Sequence, residues 1–421
     1  MKGSTALRFV DRYGGGALCG VLSIPALISR SRKTAGGKPR KILIIELFEM
    51  GAANMIAPSL SYFLRENPAA ELYCLTTESM RESWAGLRLI PPKNVFTIAD
   101  RGLFGFGLSA LKQVFLLRRL RFDLVIDYGL FFRASAIIVA LLGAKRRAGF
   151  HRYECEGLSR GKIYDVRCAF NQNVHIAKNF LALSKTAFEG RDDYPNFKGT
   201  IRNDELMLPE YRSNAEVRES LLEKLATVFL DGAFGKRILV VSHDVGANLP
   251  MRNYPAHRLI PVIRQILAEN SDLLVVLVGT RGEARSALEI TRAVQSDRCA
   301  SLCGRTTFPE LLELLKSASA VLCNDNGIGH FAALTRTRTV ALFSTDSPFV
   351  YGPLGPCTIL YSFFHCSPCI SAFNLKNSRC AENKCLQAIP ASIVADYVQG
   401  ALDGRLRPGT VNNSVPYLPE S

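Results

Sequence analysis

The chain contains 421 residues, of which 52 are Lys or Arg and 37 are Asp or Glu, so its formal net charge is +15. Hydrophobic residues make up 48% and charged residues 21%, which excludes a disordered acidic tail and a minimal disulfide-stapled domain. At roughly 100–200 residues per domain, this length predicts two domains with substantial cores, and two lobes can form a cleft.

The positive excess predicts an anionic partner, which can be nucleic acid, a phospholipid surface or a phosphorylated small molecule. Aromatic residues make up only 9% of the chain, and the sequence has no recognition helix, basic zipper, zinc-finger spacing or RNA-binding aromatic pair. Nucleic acid is therefore the least favoured of the three partners, and we expect none.

The first forty residues differ from the rest, because an apolar stretch at 14–28 lies between basic residues. It is too short to span a bilayer comfortably, which takes about 20 apolar residues, and the Ser-Arg-Ser-Arg that follows does not resemble a signal-peptide cleavage site. Residues 1–40 therefore form either a surface-lying anchor whose basic flanks meet anionic headgroups or a frayed extension. Both interpretations stay open.

From residue 41 onward, short β-rich runs alternate with amphipathic helical runs, which predicts parallel sheets wrapped by helices. A polar stretch from Glu189 to about Asn214 interrupts this alternation. We therefore predict a first Rossmann-like domain at 41–190, a linker at 191–235, a second doubly wound domain at 236–395 and a tail at 396–421. The predicted strands are 41–47, 71–77, 95–98 and 123–128 in the first domain and 237–241, 273–279, 300–303, 320–323 and 339–343 in the second.

In such sheets, ligands bind beyond the carboxyl ends of the strands, so the loops after the strands are the candidate sites. After the first strand of the second domain, Gly246 lets the backbone approach a ligand and Arg252 can hold phosphate oxygens as a fork. After the next strand, Glu283 can accept ribose hydroxyls. Each residue alone is equally well explained as a turn glycine, a solvated arginine or a helix-dipole carboxylate.

The most informative loop is Asn324-Asp325-Asn326-Gly327-Ile328-Gly329-His330, because small polar residues and two glycines open a helix directly after a buried strand. Free backbone N–H groups at such a helix start bind a diphosphate, and His330 can add a donor. Thr306, after the preceding strand, would extend the same polar rim. Taken singly, Asp325 is equally well an N-cap and His330 a structural histidine.

The sequence has no Asp-x-Asp pair and no Gly-x-x-x-x-Gly-Lys-Ser/Thr loop. A carboxylate-bound divalent metal is therefore not indicated, and we expect no cofactor to be required for catalysis. Helix ends and basic side chains would neutralise a bound diphosphate.

Together these motifs resemble the family 9 glycosyltransferases, the lipopolysaccharide heptosyltransferase group, over most of residues 40–390. The resemblance rests on 41–45 through Gly51 and Pro58, on 123–127 with 143–150, and on Asn324–Gly327 with His330 and 351–355. It implies an α/β GT-B fold, with two Rossmann-like doubly wound domains facing a cleft. It also implies inverting transfer of a heptose from ADP-heptose to a lipopolysaccharide core sugar.

By position, the resemblance implies that Asp325, Gly327 and His330 bind the donor, that Arg252 replaces a phosphate-binding Lys, and that Glu283 lies near the ribose-binding acid. Asn326 stands where the family has Ser or Thr, which keeps the hydrogen-bonding capacity and changes its reach.

One departure concerns the catalytic base, because the family has Asp after the glycine of the first turn and this chain has Gly51-Ala52. An inverting transfer needs a carboxylate or an equivalent group within reach of the attacking hydroxyl. We predict Glu49 as the replacement and Asp127, at a neighbouring strand end, as the second candidate. A lobe that binds without catalysing is the alternative.

On the acceptor side, we expect Gly51 and a group of basic residues to bind phosphates or carboxylates of a lipid-linked anionic glycan, although a solvated basic face is the simpler reading. Such an acceptor would place the protein in the cytoplasm, peripheral on the cytoplasmic face of the inner membrane. The basic residues are Arg133, Lys145, Arg146 and Arg147.

Most of the twelve cysteines resemble small buried apolar residues, and Cys74, Cys303 and Cys323 lie in strand-like runs, which suits reduced thiols in a cytoplasmic interior. Four others are spaced so that they could hold a structural zinc, although only one arm is a Cys-x-x-Cys. Buried thiols or a disulfide are equally compatible with that spacing. These four are Cys366, Cys369, Cys380 and Cys385.

Overall fold

The computed structural model describes residues 10–24, 37–47, 51–100, 102–151, 159–190, 197–229, 235–246, 249–374 and 378–406. The chain divides into two compact units. The first unit runs to Leu206 and also includes Ala372–Lys376, and the second begins at Met207. The division falls inside the predicted linker, whose later part is a structured portion of the second unit.

Unit 1 is built on a parallel sheet that, within the described residues, has six strands in the order β3-β2-β1-β4-β5-β6. One of its two central strands has the sequence Lys-Ile-Leu-Ile-Ile, and the four residues after the lysine are buried. A strand that is buried on both faces has no side facing water, so its residues are apolar on both faces. The strands are β1 Lys41–Ile45, β2 Glu71–Thr77, β3 Val95–Ile98, β4 Leu124–Asp127, β5 Arg146–His151 and β6 Val166–Ala169.

The helices of unit 1 cover both faces of this sheet, as right-handed crossovers require. A π-helical turn at Asp11–Gly15 leads into α1, and the rest follow in chain order: α1 Gly16–Leu22, α2 Ala52–Glu66, α3 Arg81–Leu87, α4 Gly102–Arg118, α5 Arg133–Leu142 and α6 Ile176–Glu189. Helix α2 packs against α6, whereas α1, α4 and α5 share one core cluster with alternate residues of β1 and β4.

Unit 2 repeats this topology, with six strands in the order β12-β11-β10-β7-β8-β9 among the described residues. The strands are β7 Arg237–Ser242, β8 Leu273–Leu277, β9 Cys299–Ser301, β10 Ala320–Asn324, β11 Thr339–Leu342 and β12 Cys357–Leu360. In both units the first and fourth strands are neighbours, so β7 and β10 of unit 2 correspond to β1 and β4 of unit 1. The predicted α/β fold with two Rossmann-like doubly wound domains is confirmed. Each predicted strand has an observed counterpart that differs at its ends, whereas β5, β6 and β12 were not predicted.

The helices of unit 2 extend beyond the predicted limit at residue 395, because the last helix continues to Leu402 and buries Val398 and Ala401 in the core. They are α7 Ala215–Ala226, α8 Ala256–Glu269, α9 Ala284–Val294, α10 Phe308–Ser317, α11 Gly327–Leu334, α12 Pro348–Tyr351, α13 Lys384–Gln387 and α14 Ala391–Leu402. Cys303 and Cys323 lie in this core and Cys74 in that of unit 1, so all three are buried as predicted.

The N-terminal extension is partly integrated into unit 1. Cys19 is fully buried, and Asp11 accepts hydrogen bonds from the backbone N–H groups of Arg133 and Ala134 at the start of α5, both at 3.0 Å. A Cβ on Gly15 would lie 2.9 Å from the Cβ of Arg133, so the glycine allows this close approach. Residues 10–24 are therefore packed on the domain and not frayed, whereas 1–9 and 25–36 lie outside the described residues.

A short return of the chain completes unit 1. Phe373 lies with its ring centroid 5.9 Å from those of Phe131 and Phe170.

Within the described part of the chain, no helix has both the length and the apolarity needed to cross a bilayer.

Candidate functional site

The candidate donor site lies where the strand order reverses in unit 2, at the carboxyl ends of β7 and β10. Two asparagines join the loops that follow these strands. Asn326 donates to Ser242 Oγ at 2.8 Å and to the Asp244 carbonyl at 3.0 Å, and Asn324 donates to the His243 carbonyl at 2.9 Å and accepts from the Tyr254 N–H at 3.0 Å. The two predicted donor loops therefore form one structure.

Helix α11 begins at Gly327, as the predicted anion site requires. Asn326 is its N-cap and accepts from the Ile328 N–H at 3.0 Å, so its amide is committed at both ends. A Cβ on Gly329 would lie 3.1 Å from Cys323 Sγ, so this glycine lets the first turn pack closely against β10. His330 lies half-buried on the same turn. The side chain of Asn326 therefore connects the start of α11 to the loop that follows β7.

Arg252 lies beside this helix start and is surrounded by oxygen atoms. Its Nε lies 3.1 Å from Thr345 Oγ1 and 3.4 Å from Asp325 Oδ2, and its Nη2 forms an ion pair with Asp346. Both carboxylates are buried, with Asp325 5% exposed and Asp346 1% exposed. The predicted phosphate-binding arginine and the predicted Asp325 are therefore in direct contact.

Asp346 and Thr345 were not predicted from the sequence. They lie in the Ser-Thr-Asp-Ser stretch that follows β11, the strand next to β10. The sequence did contain a signal for them, because polar residues directly follow a buried strand. The same pattern led to the predicted donor-site loops after β7, β8 and β10.

Several buried polar atoms at this edge have no hydrogen-bond partner within the described residues. They are His243 Nδ1, Ser344 Oγ and Asp325 Oδ2. Burial also lowers the pKa of His243, so its ring is favoured in the neutral form. Because an orphaned buried polar atom costs about 1–3 kcal/mol, their concentration at one sheet edge is typical of a ligand site.

Glu283 lies at the next strand end, where it is 9% exposed. Its Oε2 accepts from the Thr280 N–H at 2.8 Å in a capping box, and burial raises the pKa of the carboxyl. The other oxygen is directed toward Gly246, where a Cβ would lie 3.8 Å from it. Gly246 has φ +77°, a conformation that favours glycine. One Glu283 oxygen is thus a helix cap, and the other lies beside the predicted close-approach glycine.

Thr306 lies farther from the centre of this site. It is half-buried in the loop after β9, and β8 separates β9 from β7 in the sheet. The structure therefore brings together Gly246, Arg252, Glu283, Asp325, Asn326, Gly327 and His330 around β7, β8 and β10, and it places Thr306 at the outer strand.

In unit 1, the corresponding edge contains the first turn of α2. Gly51 is the N-cap of this helix and offers no side-chain cap, and Ala52 is buried. Glu49, the first candidate for the base, lies outside the described residues. Glu46 directly follows β1 and is 3% exposed, so it is a second carboxylate at this edge that the sequence prediction did not consider.

Asp127 does not have the placement of a catalytic base. It is fully buried, and its two oxygens accept from the Gly129 N–H at 2.8 Å, Ser135 Oγ at 2.8 Å, Arg160 Nη1 at 2.9 Å and the Tyr164 hydroxyl. Burial raises the pKa of its carboxyl, and Arg160 opposes that shift. With every oxygen occupied inside the protein, Asp127 stabilises the end of β4.

The predicted basic acceptor cluster is dispersed in the structure. Lys145 pairs with Asp123 at 2.8 Å, and Arg146 is buried and donates to the Ala187 and Phe188 carbonyls at the end of α6. Arg147 and Arg133 also have partners inside unit 1, Asp165 at 2.7 Å and Asp11 at 3.6 Å respectively.

The topology explains why the three basic residues at 145–147 do not line the site. Arg146 pairs in register with Leu124, the first residue of β4, whereas Asp127 pairs with Ile45 at the other end. Lys145, Arg146 and Arg147 therefore lie at the amino edge of a parallel sheet, away from the carboxyl edge where ligands bind.

The zinc prediction is not supported. Across the described ranges, no group of three or more His, Cys, Asp or Glu side chains is arranged to hold a metal ion. None of the four forms a disulfide among the described residues, and Cys366 and Cys380 are exposed whereas Cys385 is buried. Cys369 Sγ lies 3.3 Å from Ser378 Oγ, a contact that uses the thiol locally.

Comparison with known proteins places this geometry in a family. The chain is 29% identical over 108 residues to lipopolysaccharide heptosyltransferase 2 of Salmonella typhimurium, which covers 25% of this chain and 30% of that protein. It is 25% identical over 212 residues to lipooligosaccharide heptosyltransferase 2 of Haemophilus influenzae, covering 48% of this chain and 57% of that protein. The chain thus matches less than two thirds of the length of either relative.

The fold extends further than these sequence matches. The solved structure of the Escherichia coli ADP-heptose lipopolysaccharide heptosyltransferase II superposes with a TM-score of 0.66 at 17% identity, covering 87% of this chain and 99% of that one. The family model of glycosyltransferase family 9 (heptosyltransferase) matches residues 111–378, from α4 through the donor site and beyond. The chain therefore belongs to glycosyltransferase family 9.

Proposed function

We propose that this protein is an inverting glycosyltransferase that moves a sugar from a nucleotide diphosphate sugar to a hydroxyl of a cell-envelope glycan. The donor that we favour is ADP-heptose and the acceptor a lipopolysaccharide core, in line with the names of the relatives. The observation that carries the proposal is Arg252, held between Asp325 and Asp346 beside the glycine-opened start of α11.

The donor would bind across the ends of β7, β8 and β10. The diphosphate would rest on the N–H groups of Gly327 and its neighbours and on the guanidinium of Arg252, and the ribose hydroxyls would donate to Glu283. Asp325 and His330 would contact the sugar and the phosphate next to it. Gly246 supports this placement, because its positive φ favours glycine and one oxygen of Glu283 lies close to it.

In the reaction, the acceptor hydroxyl oxygen attacks the anomeric carbon from the face opposite the diphosphate. A new C–O bond forms, the bond from the anomeric carbon to the phosphate oxygen breaks, and the hydroxyl proton passes to a base. The negative charge that develops on the leaving diphosphate would be stabilised by Arg252 and the α11 N–H groups, so we assign no divalent ion to this step.

We propose that the base comes from the turn after β1, and that it is Glu49. Glu49→Gln is expected to reduce turnover by about two orders of magnitude or more with little change in nucleotide affinity, because only proton transfer is removed. Glu46→Gln is the matched comparison at the same sheet edge. Unaltered turnover in the Glu49 variant, with loss in the Glu46 variant, would move the role to Glu46.

We further propose that the acceptor is a lipid-linked anionic glycan and that the protein acts in the cytoplasm, peripheral on the inner membrane. The net charge of +15 supports this, because anionic lipids attract basic proteins.

A binding protein without catalytic activity is the second candidate, and the buried Ala52 at the usual base position favours it. A transferase for another surface polysaccharide is the third. Incubation with ADP-heptose and a core acceptor, with ADP release as the readout, separates them. Turnover supports the main proposal, turnover only with other nucleotide sugars supports the third candidate, and nucleotide binding without turnover supports the second.

A further inference from the structure

Helix α4 has two apolar faces, although only one of them packs against the domain. Its buried face contributes Phe106, Ala110, Val114 and Leu117 to the core of unit 1. On the opposite side, Phe104, Leu108, Leu111 and Phe115 follow at spacings of four, three and four residues and remain exposed, with Phe104 80% and Phe115 62% exposed. A helix that is apolar all round is normally covered on every side.

The N-terminal helical segment shows the same arrangement. Gly15, Cys19 and Ser23 face the domain, whereas the opposite side carries apolar residues that are 45% to 60% exposed. These residues are Val10, Tyr13, Leu18, Val21 and Ile24.

A third helix joins these two exposed stripes. Both α1 and α4 pack against α5, and all three helices share one core cluster on the same face of the sheet. Helix α5 carries Ala134, Ile137 and Leu141, which are half-buried and pack in part against the core cluster, and no charged residue follows Arg133 in this helix. We call the outward surfaces of residues 10–24, α4 and α5 the docking face. A contiguous apolar surface of this kind marks an interaction site.

Helix α4 and the residues up to 122 carry charges of one sign, and the nearest acids along the chain, Asp100 and Asp123, lie just outside this stretch. Residues 102–122 contain Lys112, Arg118, Arg119 and Arg121 and no Asp or Glu. Asp11, the acid of the N-terminal segment, accepts hydrogen bonds from backbone N–H groups at the start of α5. Arg119 lies over the ring of Phe115 at 4.5 Å, so a cation borders an exposed aromatic ring.

We propose that the docking face binds the surface of a bilayer that contains anionic lipid. Exposed Phe and Leu side chains would enter the boundary between headgroups and acyl chains, and the basic residues at its margin would meet lipid phosphates. Charge complementarity favours an anionic lipid surface, because basic residues beside an apolar stripe can contact lipid phosphates while the apolar side chains enter the bilayer boundary. The inference extends the proposed membrane location to specific residues and does not depend on which sugar is transferred.

Vesicle flotation of the full chain tests this proposal. We expect binding to vesicles of phosphatidylcholine with a minority of phosphatidylglycerol, and weaker binding to phosphatidylcholine alone. The variant Phe104→Ser, Leu108→Ser, Phe115→Ser should reduce the partition coefficient at least about tenfold, because each residue loses apolar contact with the bilayer. These side chains are exposed, so the fold should be retained.

The matched control is Met207→Ser, Leu222→Ser, Leu288→Ser, which removes exposed apolar residues from unit 2 and should leave the partition unchanged. A charge variant, Lys112→Glu with Arg119→Glu, should lose binding to the anionic vesicles specifically.

Three outcomes would overturn the proposal: no vesicle binding by the unmodified chain, equal partition of the α4 variant and the control, or an α4 variant that only converts a dimer to a monomer. Nucleotide binding measured by calorimetry on the same proteins keeps this test separate from the donor proposal. Loss of vesicle binding with retained nucleotide binding supports the docking face alone, and retained vesicle binding without nucleotide binding counts only against the donor site.

Discussion

The carboxyl ends of β4 and β10 hold equivalent positions in two sheets of the same strand order, but their polar groups are used differently. At β4, Asp127 is fully buried and both of its oxygens are occupied by protein donors. At β10, Asp325 is nearly as buried, yet its Oδ2 lies 3.4 Å from Arg252 and accepts no hydrogen bond among the described residues. One edge is completed by the protein, and the other has capacity for a ligand.

This difference shows that burial of a carboxylate does not by itself identify a site. What separates the two edges is whether donors and acceptors balance inside the protein. Three experiments test this difference between the two edges.

The largest effect is expected at the completed edge. Asp127→Asn should lower the free energy of unfolding by about 3–5 kcal/mol, because it leaves Arg160 buried without its counter-charge. Urea denaturation measures this. The control Asp272→Asn breaks a surface pair with Arg237 and should cost less than about 1 kcal/mol. Equal, small losses for both variants would contradict the structural role of Asp127.

At the open edge, the diagnostic effect is on ligand affinity, although Arg252→Gln also leaves Asp346 buried without its counter-charge and should lower stability. Arg252→Gln should weaken ADP binding by about ten- to a hundredfold, because charge-assisted hydrogen bonds to phosphate contribute roughly 1.5–3 kcal/mol. Arg252→Lys keeps the positive charge beside Asp325 and Asp346, so it should retain most of the affinity and the fold. Calorimetry with ADP tests both variants, and an affinity for the Gln variant equal to that of the unmodified protein would place the diphosphate elsewhere.

The smallest effect should be a pH dependence from Glu283. Its pKa is raised by burial, so the folded protein holds this proton more tightly than the unfolded chain does, and stability from this group falls as pH rises through the raised pKa. The charge that then develops should strengthen acceptance of ribose hydroxyls. ADP affinity should therefore rise several-fold across this range.

Glu283→Gln supplies the control, because it keeps a side-chain oxygen for the Thr280 cap. Its ADP affinity should be flat over the same pH range. A slope equal to that of the unmodified protein would assign the titration to another group.

Sequence patterns predicted the first four strands of unit 1, the first five of unit 2 and the β10 edge, but they missed β5, β6 and β12. The stretch from Asn324 to His330 combines a buried apolar strand with glycines and small polar residues, and each of those signals is local. Arg252 and Asp325 were predicted separately, and the strand order then brought them together.

Other features depended on tertiary context and could not be predicted this way. The basic run at 145–147 gives no indication of which end of a strand it occupies, so its position at the amino edge of β5 was missed. The pairing of Asp11 with α5 joins residues more than a hundred positions apart, which no local pattern contains. The exposed stripe of α4 was hidden because the helix is apolar on both sides.

The return of residues 372–376 to unit 1 has a consequence for the order of folding during synthesis. Phe131 and Phe170 receive Phe373 only after most of the second unit has left the ribosome. Domains generally fold as units, the N-terminal one first. Most of unit 1 is synthesised before Phe373, so until then Phe131 and Phe170 lack this aromatic neighbour. The aromatic cluster of the first unit can therefore be completed only after the strands of the second unit have been synthesised.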